Sequence, residues 1–598
     1  MHRSRSGPPR ESRSVASQIQ FADGSGGMRL VAHTSFLLLA LSLMLDTRAA
    51  ESVAPLRPAI ATSNAQATDA GMEVLAAGGN AFDAAIAISA TLGLVEPESS
   101  GIGGGGFFLL HLASENRTVF VDARERAPLA ATADMFLDAE RNPVPKASID
   151  GALAAAIPGL PAGLVHVSRK YGRLPLSQSL APAIRLAREG WVFNRKNAEM
   201  MGWRLQALSN DPGSAALFLP GGQPPKPGQK IRNPDYAHTL ELLAEHGEKG
   251  FYAGRYASQL VAGVRAGGGI WSETDLANYK VVEREPLRIQ HRGFEIVTAP
   301  PPSSGGIAIA EVLNILDGYQ YTELQPSQRT HLTLEAMRRA YRDRAIYLGD
   351  PDFVAVPAEM LMSEDYAAGL RAAIHPVRAT PSDLLPGVGE TVERDDTTHF
   401  SLLDTEGNLV AVTQTVNLPY GNAFVVPGTG FLLNNEMDDF SIKTGVPNAF
   451  GLVGQDANAI APGKRPLSSM SPSFVINDER IGILGTPGGS RIISMVLLGI
   501  LHLMDGGGAQ ATADLPRIHH QYLPDVVSIE DGALSAEAQA DLIARGYQLE
   551  TGRDTWGNMQ VVIWNRLTGA VEAGADGRWK DVGKGSTGEE SGDDKIFR

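Results

Sequence analysis

Residues 393–404 read "ERDDTTHFSLLD". A charged loop ends there at two adjacent hydroxyls, Thr397 and Thr398, and a strand-like alternation begins. The alternation runs on through "TTHFSLLDTEGNLVAVTQTVN", two extended runs around "DTEGN". That composition suits a type I turn with Gly407 at the left-handed position of a G1 bulge. Such a turn pairs Asp404 with Asn408. Counting back from that pair places Thr397 opposite Thr415, with Asn417 two residues further along the same face. Two threonine hydroxyls therefore meet at the mouth of a predicted hairpin.

A bare threonine hydroxyl is a poor nucleophile and needs a base. His399 is two residues away on the same strand, roughly 6–7 Å along it, a poor position for activating Thr397. A cut before Thr397 supplies another base, because the new α-amine has a pKa of ~7.7–8.0 and is attached to the nucleophile itself. A loop before and a strand after are what such an N-terminal nucleophile requires. On these features alone, an ordinary pair of threonines at a strand start remains the simpler reading.

The 598-residue chain is 43% hydrophobic and 20% charged, with 65 Gly and 37 Pro, the composition of a turn-rich globular protein. Its net charge is −15, and the first 50 residues carry six Arg against Glu11, Asp23 and Asp46, so the remainder is more acidic still. Such a body repels nucleic acid and anionic lipid. With no cysteine, disulfides, thiolate metal sites and a cysteine nucleophile are excluded. The segment "MRLVAHTSFLLLALSLMLDTRAA" has a basic start at Arg29, an apolar run Phe36–Leu45 and small residues Ala49 and Ala50, the pattern of a secretory signal. Its apolar run is too short for a retained anchor, which needs ~20 residues. Export to the periplasm or medium is expected, with Met28 a candidate start.

Further along, Asn64–Ala77 and Ala81–Val95 have helical composition around "GGN", where Asn80 can cap the second helix. In "GIGGGGFFLLHL" a helix precedes the glycines and a strand follows, the reverse of a phosphate loop, so a close backbone approach is the better reading. A strand is expected at Thr118–Asp122 and helices at Leu176–Glu189, Tyr236–His246 and after the Pro turn of "APPPSSGGIAIAEVLNIL". Residues 376–396 read as an exposed loop, and the tail from Lys580 as low-complexity and disordered. His519–His520 is the only histidine pair, and adjacent residues do not face one metal. No metal or cofactor is called for.

Several stretches together raise the reading of Thr397: "GGNAFDAA", "GGGGFFLL", "DARERAP", "PPPSSGGI", "YLGDPDF", "TTHFS", "LLNNEMDDFS", "GKRPLSSMSP", "GTPGGSRI" and "PRIHHQ". From about Ala59 to about Gly574 the chain resembles γ-glutamyltransferase of the N-terminal nucleophile hydrolase superfamily. The resemblance implies an α+β fold, a four-layer αββα sandwich. It also implies a precursor that cuts itself between Asp396 and Thr397 into a large subunit, about 51–396, and a small one, 397–598, intertwined as a heterodimer in one catalytic domain.

By the same resemblance Thr397 is the nucleophile, with Thr415 beside it. Arg124 clamps the substrate α-carboxylate through its planar fork, helped by the hydroxyls of Ser468 and Ser469. Asp439, aided by Glu436 and Asn417, receives the α-ammonium, and the N–H groups of Gly488 and Gly489 form the oxyanion hole. The substrates implied are glutathione and other γ-glutamyl compounds, with water, amino acids or peptides as acceptors. Two departures stand out. Phe450 replaces a tyrosine common in the loop over the pocket, removing a hydrogen bond toward Asn417 and implying a looser lid. "RDTWGNMQVV" and "AGADGR" fit the pattern poorly. The competing readings are a cephalosporin acylase of the same fold, whose glutaryl side chain lacks the ammonium, and an uncleaved homologue that only binds γ-glutamyl compounds.

Overall fold

The computed structural model describes residues 52–385, 397–552, 555–579 and 582–588. The signal-like segment, Asp396 and the final residues lie outside this set. Two all-antiparallel sheets face each other. The first has seven strands in the order Lys584–Ser586, Ala59–Thr62, Thr398–Leu403, Leu409–Thr415, Gly105–Leu112, Arg117–Ala123 and Val282–Arg284. The second has six: Val571–Ala575, Gln560–Asn565, Arg480–Gly485, Ser473–Ile476, Phe294–Thr298 and Leu287–His291.

Alternation along the strands assigns their two faces. In the first sheet Phe108, Leu110, Val119, Val121, Phe400, Leu402, Val410 and Val412 point outward and pack with the helices Ala65–Ala76, Ala81–Val95, Leu160–Tyr171 and Leu176–Glu189. Phe107, Leu109, Phe120, Leu403, Leu409 and Ala411 point inward and share a core with Phe474, Ile483 and Val561 of the second sheet. That core continues into Gly305–Asp317, Pro326–Tyr347 and Ile492–Met504 on the far side. The layers are helix, sheet, sheet, helix, as expected. Every residue of Ala81–Val95 is buried, as a helix apolar on all sides requires, and Asn80 with Asp83 forms the capping box that starts it.

The hairpin has the predicted register: Leu403 pairs with Leu409 and Thr398 with Gln414, so Thr397 comes opposite Thr415. Asp404 N–H donates to the Asn408 carbonyl at 3.2 Å, and Gly407 has φ +87°. Asn417 departs from the expectation. The strand ends at Thr415 and Asn417 is left-handed at φ +79°, so the chain turns away there.

The glycine run makes a close backbone approach. A Cβ on Gly104 would stand 1.9 Å from the Thr415 carbonyl oxygen, and one on Gly103 1.9 Å from that of Leu432. Residues 376–385 form the expected exposed loop, held at two points where the Pro326–Tyr347 helix presents charged groups: Thr380 bonds Glu335, and buried Ser382 accepts from Arg338. One other expectation is corrected. The tail is ordered at Lys584–Ser586, where it pairs with Ala59–Thr62 and Lys584 reaches Asp69 at 2.9 Å.

Gly104→Ala should destabilise the protein by about 1–3 kcal/mol in a denaturant titration, because the methyl must displace backbone. Gly101→Ala is the control. Its Cβ would meet nothing nearer than 3.7 Å, so its midpoint should stay close to wild type; equal losses would remove the steric role assigned to Gly104.

Candidate active site

The strand alternation that sorts the cores also sorts the threonines. Thr397, His399 and Ser401 face the second sheet, with Thr413 and Thr415 beside them. Thr398 faces the helices, where its hydroxyl donates to Glu96 Oε2 at 3.0 Å and meets Ser63 Oγ at 2.8 Å. The second threonine thus anchors the strand that carries the first. Thr397 is 4% exposed, and its Oγ1 lies 3.4 Å from Thr415 Oγ1. Thr415 Oγ1 accepts the Asn417 N–H at 2.8 Å, which leaves its own proton to point elsewhere.

His399 is no base for Thr397. Its ring is wedged between the sheets, with Nδ1 2.8 Å from Thr413 Oγ1 and Nε2 3.2 Å from Ser401 Oγ, and burial pulls its pKa down to about 3. A Cβ on Gly485 would stand 2.3 Å from the imidazole, so the opposite sheet makes room for it with a glycine. His519 and His520 are likewise buried and hydrogen-bonded, His519 to Ser494 and Gln521, His520 to Asp525. Burial pulls His520 down to about 4. Among the described residues no group of three or more His, Asp or Glu is placed to hold a metal ion.

One pocket brings together Thr397, Thr415, Arg124, Asn417, Glu436, Asp439, Ser468, Ser469 and Gly489, with Phe450 and Leu452 on its wall. Of the residues expected at the site, only Gly488 is not on the pocket wall, and Asp396 lies outside the described residues. Gly488 (φ +136°) and Gly489 form the turn from the Arg480–Gly485 strand into Ile492–Met504, and the first N–H groups of such a turn have no intrahelical partner. The segment 555–559, which matched the family pattern poorly, supports this turn: Asn558 N–H donates to Thr486 Oγ1 at 3.1 Å. Asn417 Nδ2 donates to the Asn435 carbonyl at 3.0 Å, holding its side chain against the loop that carries Glu436.

Arg124 is the electrostatic centre. Its Nη1 bonds Glu436 and lies 3.5 Å from Glu125, and its Nη2 is 2.5 Å from Asp439. Its Nε and Nη2 also donate to the Pro466 and Leu467 carbonyls, each at 3.2 Å. All five donors of the guanidinium are therefore engaged by the protein. Burial opposes its charge, but Glu436, Asp439 and Glu125 outweigh that and raise its pKa. On the carboxylates burial wins over Arg124: Glu125 is pushed up to about 7, Glu436 well above its usual range, and Asp439 also upward. The groups expected to read a carboxylate and an ammonium separately are thus paired with each other.

Arg344, also on the pocket wall, was missed. It sits in "YRDRAIYLGDPDF", on a helix where Arg338, Arg339 and Arg342 stand close to it in sequence. The available signal was spacing. Leu334, Met337, Tyr341, Arg344 and Leu348 recur at three- and four-residue steps, so the arginine occupies a buried stripe, and all five are buried.

Phe450 lines the pocket, and its loop is held closed by Asn448, which bonds the N–H groups of Phe450 and Leu452 at 3.0 and 3.1 Å and reaches Asp439 at 3.4 Å. Ala449 N–H also donates to Asp438 at 2.8 Å, and Gln521 to the Phe450 carbonyl at 3.4 Å. The loop is thus fastened through groups other than the missing tyrosine hydroxyl.

The gamma-glutamyltranspeptidase family matches residues 67–586. A glutathione hydrolase proenzyme of Pseudomonas sp. (strain A14) is 45% identical over 521 residues, 86% of this chain and 90% of that one. One of Escherichia coli (strain K12) is 42% identical over 511 residues, 84% and 87% of the two chains. In three dimensions, the crystal structure of a cephalosporin acylase from Bacillus halodurans has a TM-score of 0.77 at 29% identity, covering 90% of this chain and 96% of that one. A match across most of the chain, around a pocket that gathers the paired threonines with a buried arginine and its carboxylates, places the protein in the gamma-glutamyltranspeptidase family.

Proposed function

We propose that the chain is a precursor which cuts itself between Asp396 and Thr397 and then transfers γ-glutamyl groups from glutathione and related compounds to water or to amino acids and peptides. Family membership makes it a γ-glutamyl-transferring and hydrolysing enzyme. The observation that carries the residue-level reading is the shared pocket. Thr397 and Thr415 stand 3.4 Å apart beside a cluster of opposite charges, the arrangement a zwitterionic substrate end needs next to a nucleophile.

In maturation, Thr397 Oγ1 attacks the Asp396 carbonyl carbon, the acyl group shifts from N to O and so frees the α-amine, and water then hydrolyses the ester to release the Asp396 carboxylate and the Thr397 hydroxyl. In turnover the same oxygen attacks the γ-carbonyl while the α-amine takes its proton. Thr415, with its lone pair on the Asn417 N–H, directs its own proton to Thr397 Oγ1. The Gly488 and Gly489 N–H groups receive the oxyanion. The ammonium returns the proton to the departing amine, and water or an acceptor amine then breaks the γ-glutamyl–Thr397 ester. The substrate ammonium draws Asp439 and Glu436 from Arg124, whose released donors turn to the α-carboxylate. Binding is an exchange of ion pairs.

That exchange weighs against the cephalosporin acylase reading, because a glutaryl group brings no cation and would leave buried carboxylates uncompensated, at a cost of several kcal/mol. The signal-like segment supports export to the periplasm or medium. Among the described residues no helix is long and apolar enough to cross a membrane.

The overall test is turnover of a chromogenic γ-glutamyl anilide, with and without a dipeptide acceptor, by protein that runs as two bands on a denaturing gel. One uncut band with substrate binding but no turnover would favour the binding homologue. Thr397→Ala should leave a single band and no turnover, since one hydroxyl serves both reactions; two subunits from this variant would sink the assignment.

Asp439→Asn keeps the shape and removes the charge. It should lower kcat/KM for the γ-glutamyl anilide about 30- to 1000-fold, or ~2–4 kcal/mol, while self-cleavage survives. A glutaryl anilide, lacking the ammonium, should lose little or improve. Equal losses on both substrates would make Asp439 a structural support only.

A further inference from the structure

Arg344 differs from Arg124 in what surrounds it. It is 5% exposed, and among the described residues no carboxylate lies within ion-pair distance of it. Its Nε donates to Ser304 Oγ at 2.9 Å and its Nη2 to Ser469 Oγ at 3.4 Å. Among the described residues its remaining donors have no acceptor. Burial pulls its pKa down to about 10, which leaves it cationic at neutral pH. Asp439 acts on it from beyond ion-pair distance and is itself bound to Arg124, so the buried charge is poorly compensated, which is costly, and it lines the pocket of the nucleophile. The corner is therefore built to receive an anion.

The hydroxyls around it agree. A serine hydroxyl has one proton to give and two lone pairs to accept with. Ser469 Oγ accepts from Arg344, and Ser468 Oγ accepts from the Met470 N–H at 3.1 Å. Each keeps its own proton for the pocket. Ser304 ties the group together: its hydroxyl donates to the Ser468 carbonyl at 2.7 Å, and its N–H to the same oxygen at 2.8 Å. The "PPPSSGG" turn, the "PLSSM" loop and the Pro326–Tyr347 helix thus meet at one guanidinium. A Cβ on Gly305 would stand 1.8 Å from Ser471 Oγ and 2.9 Å from its Cβ, so a side chain there would have to displace Ser471.

We propose that Arg344 is a positioning residue for the substrate α-carboxylate, turning the Ser469 hydroxyl into a donor toward it and supplying the unpaired positive charge of that corner. The proposal rests on the γ-glutamyl reading above. Arg124 is bound to two carboxylates before substrate arrives and regains a free donor only as the ammonium takes them. Among the described residues Arg344 has no carboxylate at ion-pair distance, so it favours the carboxylate end from the first encounter. Discrimination for an α-carboxylate is then a property of Arg344 and Ser469 as well as of Arg124.

The test compares the γ-glutamyl anilide with the same anilide capped as its α-carboxamide, which keeps the ammonium and the shape but loses the negative charge. Maturation is confirmed on a gel, since no carboxylate-bearing substrate takes part in self-cleavage. Arg344→Gln should shrink the wild-type preference for the carboxylate substrate about 30-fold or more, mainly through KM, with kcat within about 3-fold. Arg344→Lys keeps the charge but not the fork, and should recover part of that preference. If Arg344→Gln does not mature, Arg344→Lys carries the test alone, with about 5- to 10-fold loss on the carboxylate substrate and less than about 2-fold on the carboxamide. Equal losses on the two substrates, or losses confined to kcat, would overturn the proposal. Wild-type protein inactive on the γ-glutamyl anilide would instead defeat the functional reading on which it rests.

Discussion

Gly104 and the Thr415 carbonyl lie so close that a Cβ between them would be 1.9 Å from the oxygen. That approach fixes the end of the Leu409–Thr415 strand against Gly105–Leu112, and the hairpin passes the constraint on to Thr397. A slip of one residue would turn each side chain to the other face. Thr397 would then point at the helices, and Thr398 would leave Glu96 and Ser63 for the space between the sheets. The direction of the Thr397 side chain is therefore set by backbone packing some distance from its own hydroxyl. The polar inner stripe, with His399 held between Thr413 and Ser401, keeps that end of the sheet pair from closing as an ordinary apolar core.

The electrostatics of the pocket follow from the same burial. Glu125, Glu436 and Asp439 surround one guanidinium, and removal from water raises the pKa of each against the pull of Arg124. Such a cluster is weak evidence for stability, because desolvation can exceed the Coulombic gain. Its value lies in what it can exchange. A ligand that carries both signs can replace internal pairs with external ones, whereas one with a single sign leaves a buried group unsatisfied. On the proposed function, selectivity for a zwitterion would follow from this cluster, and Arg344 would tilt it toward the anionic end.

Local rules made much of this legible. The G1-bulge turn gave the hairpin register, and the register alone brought Thr397 to Thr415. Asn80 marked a helix start, and the glycine run marked a close approach where a phosphate loop could have been read. The misses share a cause: each depends on partners distant in sequence. Ser382 reads as exposed until the charged helix beneath it is seen to need acceptors, and Lys584–Ser586 reads as tail until an open edge at Ala59–Thr62 is available. Asn417 reads as strand, but backbone strain at φ +79° is invisible without its bond to Asn435. Arg344 was legible only as a charge in an apolar stripe, and three neighbouring arginines masked it. The pairing of Arg124 with Glu436 and Asp439 was not legible at all, because motif matching assigns each residue to a substrate group and not to another residue of the site.

The order of strands explains how a chain could be cut at its own active site and keep that site. In the first sheet Thr398–Leu403 lies between Ala59–Thr62, from before the proposed cut, and Leu409–Thr415, from after it; Gly105–Leu112 follows, again from before. In the second sheet Ser473–Ile476 pairs with Phe294–Thr298 across the same divide. Hydrolysis before Thr397 would therefore sever one covalent bond while both sheets still bind the two pieces through ladders of backbone hydrogen bonds and the shared core between them. The new terminus cannot drift, because the residue after it, Thr398, pairs with Gln414 and is anchored by its hydroxyl to Glu96. An amine released at that point stays attached to the hydroxyl it must serve, at a distance fixed by covalent geometry, so the fold needs no separate base beside Thr397. The histidine two residues away can then remain a neutral spacer between sheets.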